Sequence, residues 1–301
     1  MLALALPLVM LLFLGNLWGL AAVIAKAVGG AGVPPLGYGF WQSTGAGVLL
    51  LLACRVAGIR LGWTSVHLRY FAMMGLLGLL VPMTVFYTVV REIPAGVMAL
   101  ILTLAPLVTY LMVLVMRMER FVWLRAAGIA LGLFAALLLV VPKGGLPDPG
   151  MVPYVLLGML TPIFFAAANV YGERHRPRDA HAVSLAAGML LAAGTGFMVL
   201  TLATGTFHPI WREANLANVL IGSHALLAAM AFILFFTLLK RGGPVYVSQV
   251  AYIITLTGIG WGMLFFGERH SAWLWLSVVL MFVGVALVNR PQPATAAAPA
   301  E

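Results

Sequence analysis

The residues Met118-Glu119-Arg120-Phe121 lie between two long apolar runs, and the same arrangement returns 149 residues later as Gly267-Glu268-Arg269-His270. Upstream, the stretch 86–91 (Phe-Tyr-Thr-Val-Val-Arg) is echoed at the same offset by 235–240 (Phe-Phe-Thr-Leu-Leu-Lys). This duplication predicts two related halves, each almost entirely hydrophobic. If each half crosses a membrane an odd number of times, the second half lies upside down relative to the first.

The composition indicates that the solvent of this chain is lipid. Hydrophobic residues make up 63% of the 301 residues and charged residues only 8%, and a soluble domain of this size cannot hide so much apolar surface. The net charge of +9 does not indicate nucleic acid, because Lys and Arg stand singly or in small groups at the ends of apolar runs. The one cysteine, Cys54, excludes an internal disulfide.

Ten apolar runs are long enough for membrane crossing, since a helix needs about 20 apolar residues to cross the hydrocarbon core. The predicted spans are 4–25, 36–54, 68–90, 95–116, 122–141, 151–171, 182–203, 216–238, 245–266 and 272–289. The first run has no charge before Lys26, so we expect a retained helix and not a cleaved signal. Pro82, Pro106 and Pro162 interrupt their spans and mark kink candidates.

The predicted fold is an all-α membrane protein with ten transmembrane helices, arranged as two inverted five-helix repeats around a central cavity. The first repeat covers 1–141 and the inverted second repeat covers 151–290. The turn-rich stretch 142–150 forms an outer linker, and 291–301 is a low-complexity tail that we expect to be disordered.

Loop charge supports this count of spans. With the N-terminus inside, the inner connections and the tail hold 12 Lys and Arg residues and the outer connections hold 4, leaving Lys26 near the end of the first span. Positive charge favours the cytoplasmic side. The sequence therefore predicts a multi-pass protein of the plasma membrane, the bacterial inner membrane, with cytoplasmic N- and C-termini.

Several short motifs carry a family resemblance through their order and duplication. Leu17-Trp18-Gly19 stands in the first span, with Lys26 eight residues after the Trp. Each half has Glu-Arg between its fourth and fifth spans, and the second half runs Gly-Pro-Val-Tyr-Val-Ser-Gln at 243–249 before Trp261-Gly262. Over roughly residues 10–290 the chain resembles the drug/metabolite transporter superfamily, EamA type.

The resemblance implies a ten-helix inverted-repeat bundle that carries small metabolites, often amino acids and often outward. In that fold the first four helices of each half surround a central cavity and the fifth lies at the periphery. One position departs from the family pattern: Met118 stands where Gly is preferred before Glu.

Polar and aromatic side chains within the spans are the candidate binding residues, since polar groups in a bilayer cost free energy unless they pair or face water. Amides can hold the carboxylate or ammonium of a zwitterion, and an aromatic set suits an apolar or aromatic side chain, or a cation against a π face. The predicted substrate-binding residues are Asn16, Trp18, Lys26, Trp41, Gln42, Tyr87, Asn169, His224, Gln249 and Tyr252.

Each of these residues also has a purely structural interpretation. Lys26 has the position of a snorkelling interfacial lysine, or of a cation that attracts a substrate carboxylate. His224 is either a core histidine bonded to a backbone carbonyl or a substrate-binding, proton-linked group. Asn16, Asn169 and Gln249 equally suit hydrogen bonds between helices, and packing alone explains any one of the aromatic residues.

The sequence favours a secondary transporter that exports small metabolites, with amino acids foremost, by alternating access. Uptake of a vitamin or nucleotide-like compound and multidrug efflux remain alternatives. The expected partners are a small-molecule substrate and the lipid bilayer, with proton coupling and a monomer or homodimer both left open. No cofactor, metal or nucleic acid is expected.

Two other classes of protein fit less well. An intramembrane enzyme needs paired catalytic residues, and the sequence contains no His-Glu-x-x-His, no Gly-x-Ser-x-Gly and no phosphate-binding loop. A lipid scramblase needs a polar groove that opens to lipid. The scarcity of Asp and Glu in the spans also disfavours a carboxylate sodium site.

Overall fold

The computed structural model describes residues 2–89, 92, 93, 98, 101–140, 149–211, 215–266 and 272–288, and within these residues every regular element is helical. The helices are α1 Leu2–Gly30, α2 Pro35–Val56, α3 Ser65–Val89, α4 Ala105–Val115, α5 Trp123–Val140, α6 Val152–Arg174, α7 Ala182–Ala203, α8 Leu216–Ser248, α9 Val250–Phe266 and α10 Ala272–Val288.

Five of these helices (α1, α3, α6, α7 and α8) are long and apolar enough to cross a membrane by length and composition. Shorter apolar helices lie at Ala105–Val115, Trp123–Ala135, Val250–Phe265 and Val279–Val288. The helices fall where the sequence predicts spans, and α7 has the predicted bounds of 182–203. The predicted linker lies almost wholly outside the described residues, and the tail at 291–301 lies entirely outside them.

Prolines interrupt two of the long helices. In α3 a π-helical segment, Leu76–Leu80, separates Ser65–Gly75 from Val81–Val89, because Pro82 has no N–H to offer the carbonyl of Gly78. In α6 the helix is interrupted between Gly158 and Leu160. There the Gly158 carbonyl has no backbone N–H partner, because Pro162 lacks one. The sequence prediction of interruptions at Pro82 and Pro162 is confirmed.

Helix α8 breaks at Gly243, where the sequence places a boundary between spans. Gly243 has φ 74° and ψ 178°, a conformation open almost only to glycine. Helical structure resumes at Pro244 and continues to Ser248, so the boundary that the sequence places between 238 and 245 falls at Gly243. Glu119, which is paired with Arg125, lies beside this break.

The packing of the helices repeats between the two halves of the chain. Helix α1 packs against α8 and α9, and α6, which holds the corresponding place in the second half, packs against α3 and α4. Similarly, α2 packs against α8, while α7 packs against α3. The most extensive contacts, α2 with α7 and α5 with α10, join helices that hold the same place in each half.

These corresponding helices run antiparallel where they touch. Along α2 and α7, a Cβ on Gly39 would meet the Phe197 ring, Thr44 lies against Gly194, and a Cβ on Gly47 would lie 2.8 Å from Leu191. Residue numbers therefore rise along one helix as they fall along the other. The pair α5 and α10 behaves likewise, since Gly128 faces Leu287 and Val288 while Gly132 faces Gly284.

Replacing Gly243 by alanine tests the break in α8. A Cβ at φ 74° is strained, and we expect Gly243→Ala to lower the free energy of unfolding by about 1–3 kcal/mol. Gly222→Ala is the matched control, because Gly222 lies in the same helix with open space around its Cβ position. It should be neutral or stabilise by up to about 1 kcal/mol. Thermal unfolding in detergent measures both, and equal midpoints would contradict the strain.

Candidate functional site

The candidate residues lie at several depths between the two ends of the bundle. At one end, here called the first end, α2 begins, α3 finishes and α8 begins. Tyr38, Trp41, Tyr87 and His224 gather there, and we call them the Tyr38 cluster. At the other end, the second end, α3 begins and α6 finishes. The sequence assigns the first end to the outer side of the membrane.

A hydrogen bond between the Tyr38 hydroxyl and His224 Nδ1 organises the Tyr38 cluster. Tyr38 is 3% exposed and His224 is 9% exposed, so the bond lies in the interior. It joins α2 of the first half to α8 of the second half. The bond occupies one ring nitrogen of His224 and fixes the orientation of the imidazole. Sequence reasoning proposed a backbone carbonyl as the structural partner of His224; the structure provides the Tyr38 hydroxyl instead.

Trp41 lies against the connection between α7 and α8. Its Nε1–H donates to the carbonyl oxygen of His208 at 2.6 Å, and its ring is in contact with Phe207 and Trp211. The imidazole of His208 in turn pairs with Asn218 Oδ1 at 3.1 Å. Trp41 therefore anchors the connection over the first end. Its neighbour Gln42 is buried, with Ser43 donating to Gln42 Oε1 at 3.5 Å.

Near the middle of the bundle, Trp18 of α1 packs against two phenylalanines of α8. Its ring centroid lies 5.6 Å from Phe232 and 6.0 Å from Phe235, and we call these three residues the Trp18 trio. Trp18 itself is only half-buried. The trio joins the first half to the second and forms an aromatic surface that suits an apolar or aromatic group.

Two predicted residues are engaged in contacts between helices. Asn16 Oδ1 accepts from Trp261 Nε1–H at 3.1 Å, which links α1 to α9. Tyr252 donates its hydroxyl to the Ile129 carbonyl at 3.3 Å, and its ring fills the space beside Gly132. The structure therefore places Tyr252 against α5. The bond of Asn16 is the interhelical alternative that the sequence left open.

The remaining predicted residues differ in burial. Lys26 is exposed near the end of α1, while Asn169 is buried on α6. Gln249 is fully buried at the turn between α8 and α9. Its Nε2 donates to the Val245 carbonyl at 3.3 Å, and its Oε1 has no hydrogen-bond partner among the described residues. A buried acceptor without a partner is costly, so Gln249 is a strong candidate to meet a donor group of a substrate.

At the second end, helices are joined by contacts that sequence reasoning did not find. The Tyr70 hydroxyl on α3 donates to the Gly172 carbonyl on α6 at 2.8 Å. Arg176, just after α6, donates through Nη1 to the Phe236 carbonyl on α8 at 3.0 Å. Burial lowers the pKa of the Arg176 guanidinium, while Tyr70 and Glu173 act against this shift.

The missed residues are Tyr38, Phe232, Phe235, Tyr70 and Arg176. Tyr38 could have been predicted as a site residue, since it lies three residues before the candidate Trp41 and so shares its helix face. The others gave none, because a phenylalanine in an apolar span or an arginine in a loop has no distinctive pattern. In the described part of the chain, no three His, Cys, Asp or Glu side chains form a group that could hold a metal ion.

Apolar helices in two matching sets, with aromatic and amide side chains between them, define a multi-pass membrane protein. The EamA-like transporter family model matches residues 6–141 and 152–290, one match for each half. The chain therefore belongs to the EamA-like transporter family, within the drug/metabolite transporter superfamily. It is a membrane transporter of small molecules with a two-repeat architecture.

More distant similarities agree with the family match. Protein PecM of Dickeya dadantii (strain 3937) is 24% identical over 249 residues, which cover 81% of this chain and 79% of that protein. A protein crystal structure superposes with a TM-score of 0.78 at 18% identity, covering 94% of this chain and 96% of that one. At this identity the likeness shows the fold alone.

A double-mutant cycle tests the bond at the centre of the Tyr38 cluster. Tyr38→Phe and His224→Leu should each destabilise the protein by about 1–3 kcal/mol, because each leaves its partner buried and unpaired. The double variant should cost less than the sum, with a coupling of about 0.5–3 kcal/mol. Thermal unfolding in detergent measures the cycle. Tyr154→Phe, at an exposed tyrosine, should change nothing, and strict additivity would contradict the bond.

Proposed function

We propose that this protein exports amino acids across the bacterial inner membrane by alternating access between two inverted five-helix repeats. The observation that carries the proposal is the antiparallel packing of corresponding helices, α2 with α7 and α5 with α10. Two copies of one five-helix unit related in this way offer the same site to opposite sides of the membrane when they rock against each other.

The distribution of charge supports the proposed orientation. In the described residues, the second end carries the exposed Arg55, Arg69, Arg174, Arg178, Lys240 and Arg241. The sequence assigns only four lysines and arginines to the first end (Arg91, Lys143, Arg212 and Arg269), and all four lie outside the described residues, while Lys26 is exposed near the end of α1. Because positive charge is retained on the cytoplasmic side, we assign the second end to the cytoplasm and both termini with it.

The chemistry of the candidate site suits a zwitterion with an apolar or aromatic side chain. The Trp18 trio offers an aromatic surface, and Gln249 and Asn169 offer amides buried in the same bundle. Apart from Glu173 at the end of α6, the described helices contain no acidic residue. A substrate with a net positive charge would lack a counter-charge, whereas a zwitterion is satisfied by amide groups. Lys26 and His224 are the groups available to tune charge and to link transport to protons.

Flux into proteoliposomes tests the proposal. Purified protein should show saturable flux of at least one amino acid from a labelled panel that also contains a vitamin, a nucleoside and a cationic drug. A proton gradient should change the rate only modestly, and a pure sodium gradient should not drive accumulation. Flux of the vitamin, the nucleoside or the drug, with none of any amino acid, would overturn the proposed substrate class.

Substitution in the site should abolish most of this flux. We expect Trp18→Ala and Gln249→Ala each to reduce flux about tenfold or more, which corresponds to about 1.4 kcal/mol of lost stabilisation. Trp123→Ala is the matched control, because Trp123 is 81% exposed at the start of α5. Equal loss in the control and the site variants would show that the effect is not specific to the site.

A further inference from the structure

Three helices meet at the second end in a set of contacts that we call the Tyr70 junction. It consists of Tyr70 on α3, Gly172 near the end of α6, and Phe236 on α8, with Arg176 beside them. Tyr70 and Phe236 are fully buried, and their ring centroids are 6.4 Å apart. Any movement that opens this end must separate α3, α6 and α8 here.

The bond between Tyr70 and Gly172 ties the first half to the second half. The carbonyl of Gly172 belongs to the last turn of α6, where carbonyls lack a partner within their own helix. The Tyr70 hydroxyl supplies that partner at 2.8 Å. Breaking the bond in a dry interior leaves both groups unsatisfied, so this contact favours the closed junction.

Arg176 ties the loop after α6 to α8. Its Nη1 donates to the Phe236 carbonyl at 3.0 Å, and its Nη2 donates to the Ala180 carbonyl at 3.5 Å. The Phe236 carbonyl lies within the continuous helical part of α8, four residues before Lys240, and so already has a donor in its own helix. Withdrawing the guanidinium therefore leaves no backbone group of α8 unpaired.

A second acceptor for Arg176 stands close by. Glu173 lies three residues earlier, at the end of α6, and its Oε2 is buried without a hydrogen-bond partner among the described residues. Arg176 lies in the loop two residues beyond the last residue of α6, and Glu173 and Arg176 interact electrostatically. A buried carboxylate oxygen without a donor is unfavourable, so Glu173 is a second acceptor toward which the guanidinium can turn.

We propose that Arg176 is a two-position latch of the cytoplasmic end, which holds α8 through the Phe236 carbonyl when that end is closed and turns to Glu173 when it opens. This rests on the proposed alternating-access function. In this latch the bond to Phe236 stabilises the closed end more than the bond to Glu173 stabilises the open end, so loss of the arginine favours opening. It is a positioning residue that need not touch the substrate.

Distance measurements between spin labels test the latch in the full-length protein. Arg69 on α3 and Lys240 on α8 are both exposed near this end, and each is replaced by a labelled cysteine after Cys54→Ser. Double electron–electron resonance in liposomes then gives the populations of short and long distances between the two labels. Arg176→Gln should raise the ratio of open to closed about tenfold, the effect of losing a hydrogen bond from a charged donor.

The variant Glu173→Gln should act in the opposite direction and lower the ratio, because the competing acceptor is weakened. In the double variant the effect of Glu173→Gln should vanish, since it acts through Arg176. Tyr70→Phe should raise the ratio without touching the arginine. Arg178→Gln, at an exposed neighbouring arginine, is the control and should leave the distances unchanged.

The outcomes separate the latch from the proposed function. Shifts of the same sign for Arg176→Gln and Glu173→Gln, or populations that no variant moves, would overturn the latch. Opposite shifts in a protein that moves no amino acid in the flux assay would uphold the latch and overturn the proposed substrate class alone.

Discussion

Hydrocarbon offers no hydrogen-bond partner to the backbone, and this constraint governs the whole architecture. Helices satisfy their own backbone, so a chain with so little charge must be helical wherever it faces lipid. Every interruption of a helix must be compensated locally, either by another hydrogen-bond partner or by a residue that tolerates the unusual backbone conformation. In α3 the Thr84 hydroxyl donates to the Leu80 carbonyl at 2.7 Å, close to the π-helical segment before Pro82. At the break in α8, glycine at position 243 accepts a backbone conformation that other residues resist.

Lipid tails are as apolar as leucine, so burial of apolar surface gives the helices little reason to choose one neighbour over another. The choice of neighbour is instead determined by where two helix backbones can approach closely. A Cβ on Gly128 would lie 2.7 Å from the Gly284 carbonyl, and a Cβ on Gly15 would lie 2.4 Å from Ile253. These contacts fix α5 on α10 and α1 on α9, and they depend on the absence of a side chain.

The sequence predicted positions along the chain better than contacts across it. Apolar runs predicted the positions of the helices, and prolines predicted their interruptions. Both predictions succeed because each feature acts on the backbone within a few residues. The site needed long-range knowledge. Trp18 and His224 were identified as candidates, yet Phe232 and Tyr38, which contact them, lie more than 180 residues away in the chain. Tyr252 and Asn16 were predicted to bind substrate but pair with other helices. A polar group in a span can pair with a neighbouring helix as readily as with a substrate, and the sequence does not distinguish the two.

Hydrogen bonds between helices distinguish one arrangement of the two halves from another more sharply than apolar packing does. The contact of Phe232 with Trp18 rests mainly on dispersion, which has weak directionality. A hydrogen bond in a dry interior is either made or lost, and losing it leaves a buried group unpaired. The Tyr38–His224 bond at the first end and the Tyr70–Gly172 bond at the second end each join one half to the other. Because each bond joins the halves at one end only, its rupture is a discrete event at that end, as the proposed alternation between two access states requires.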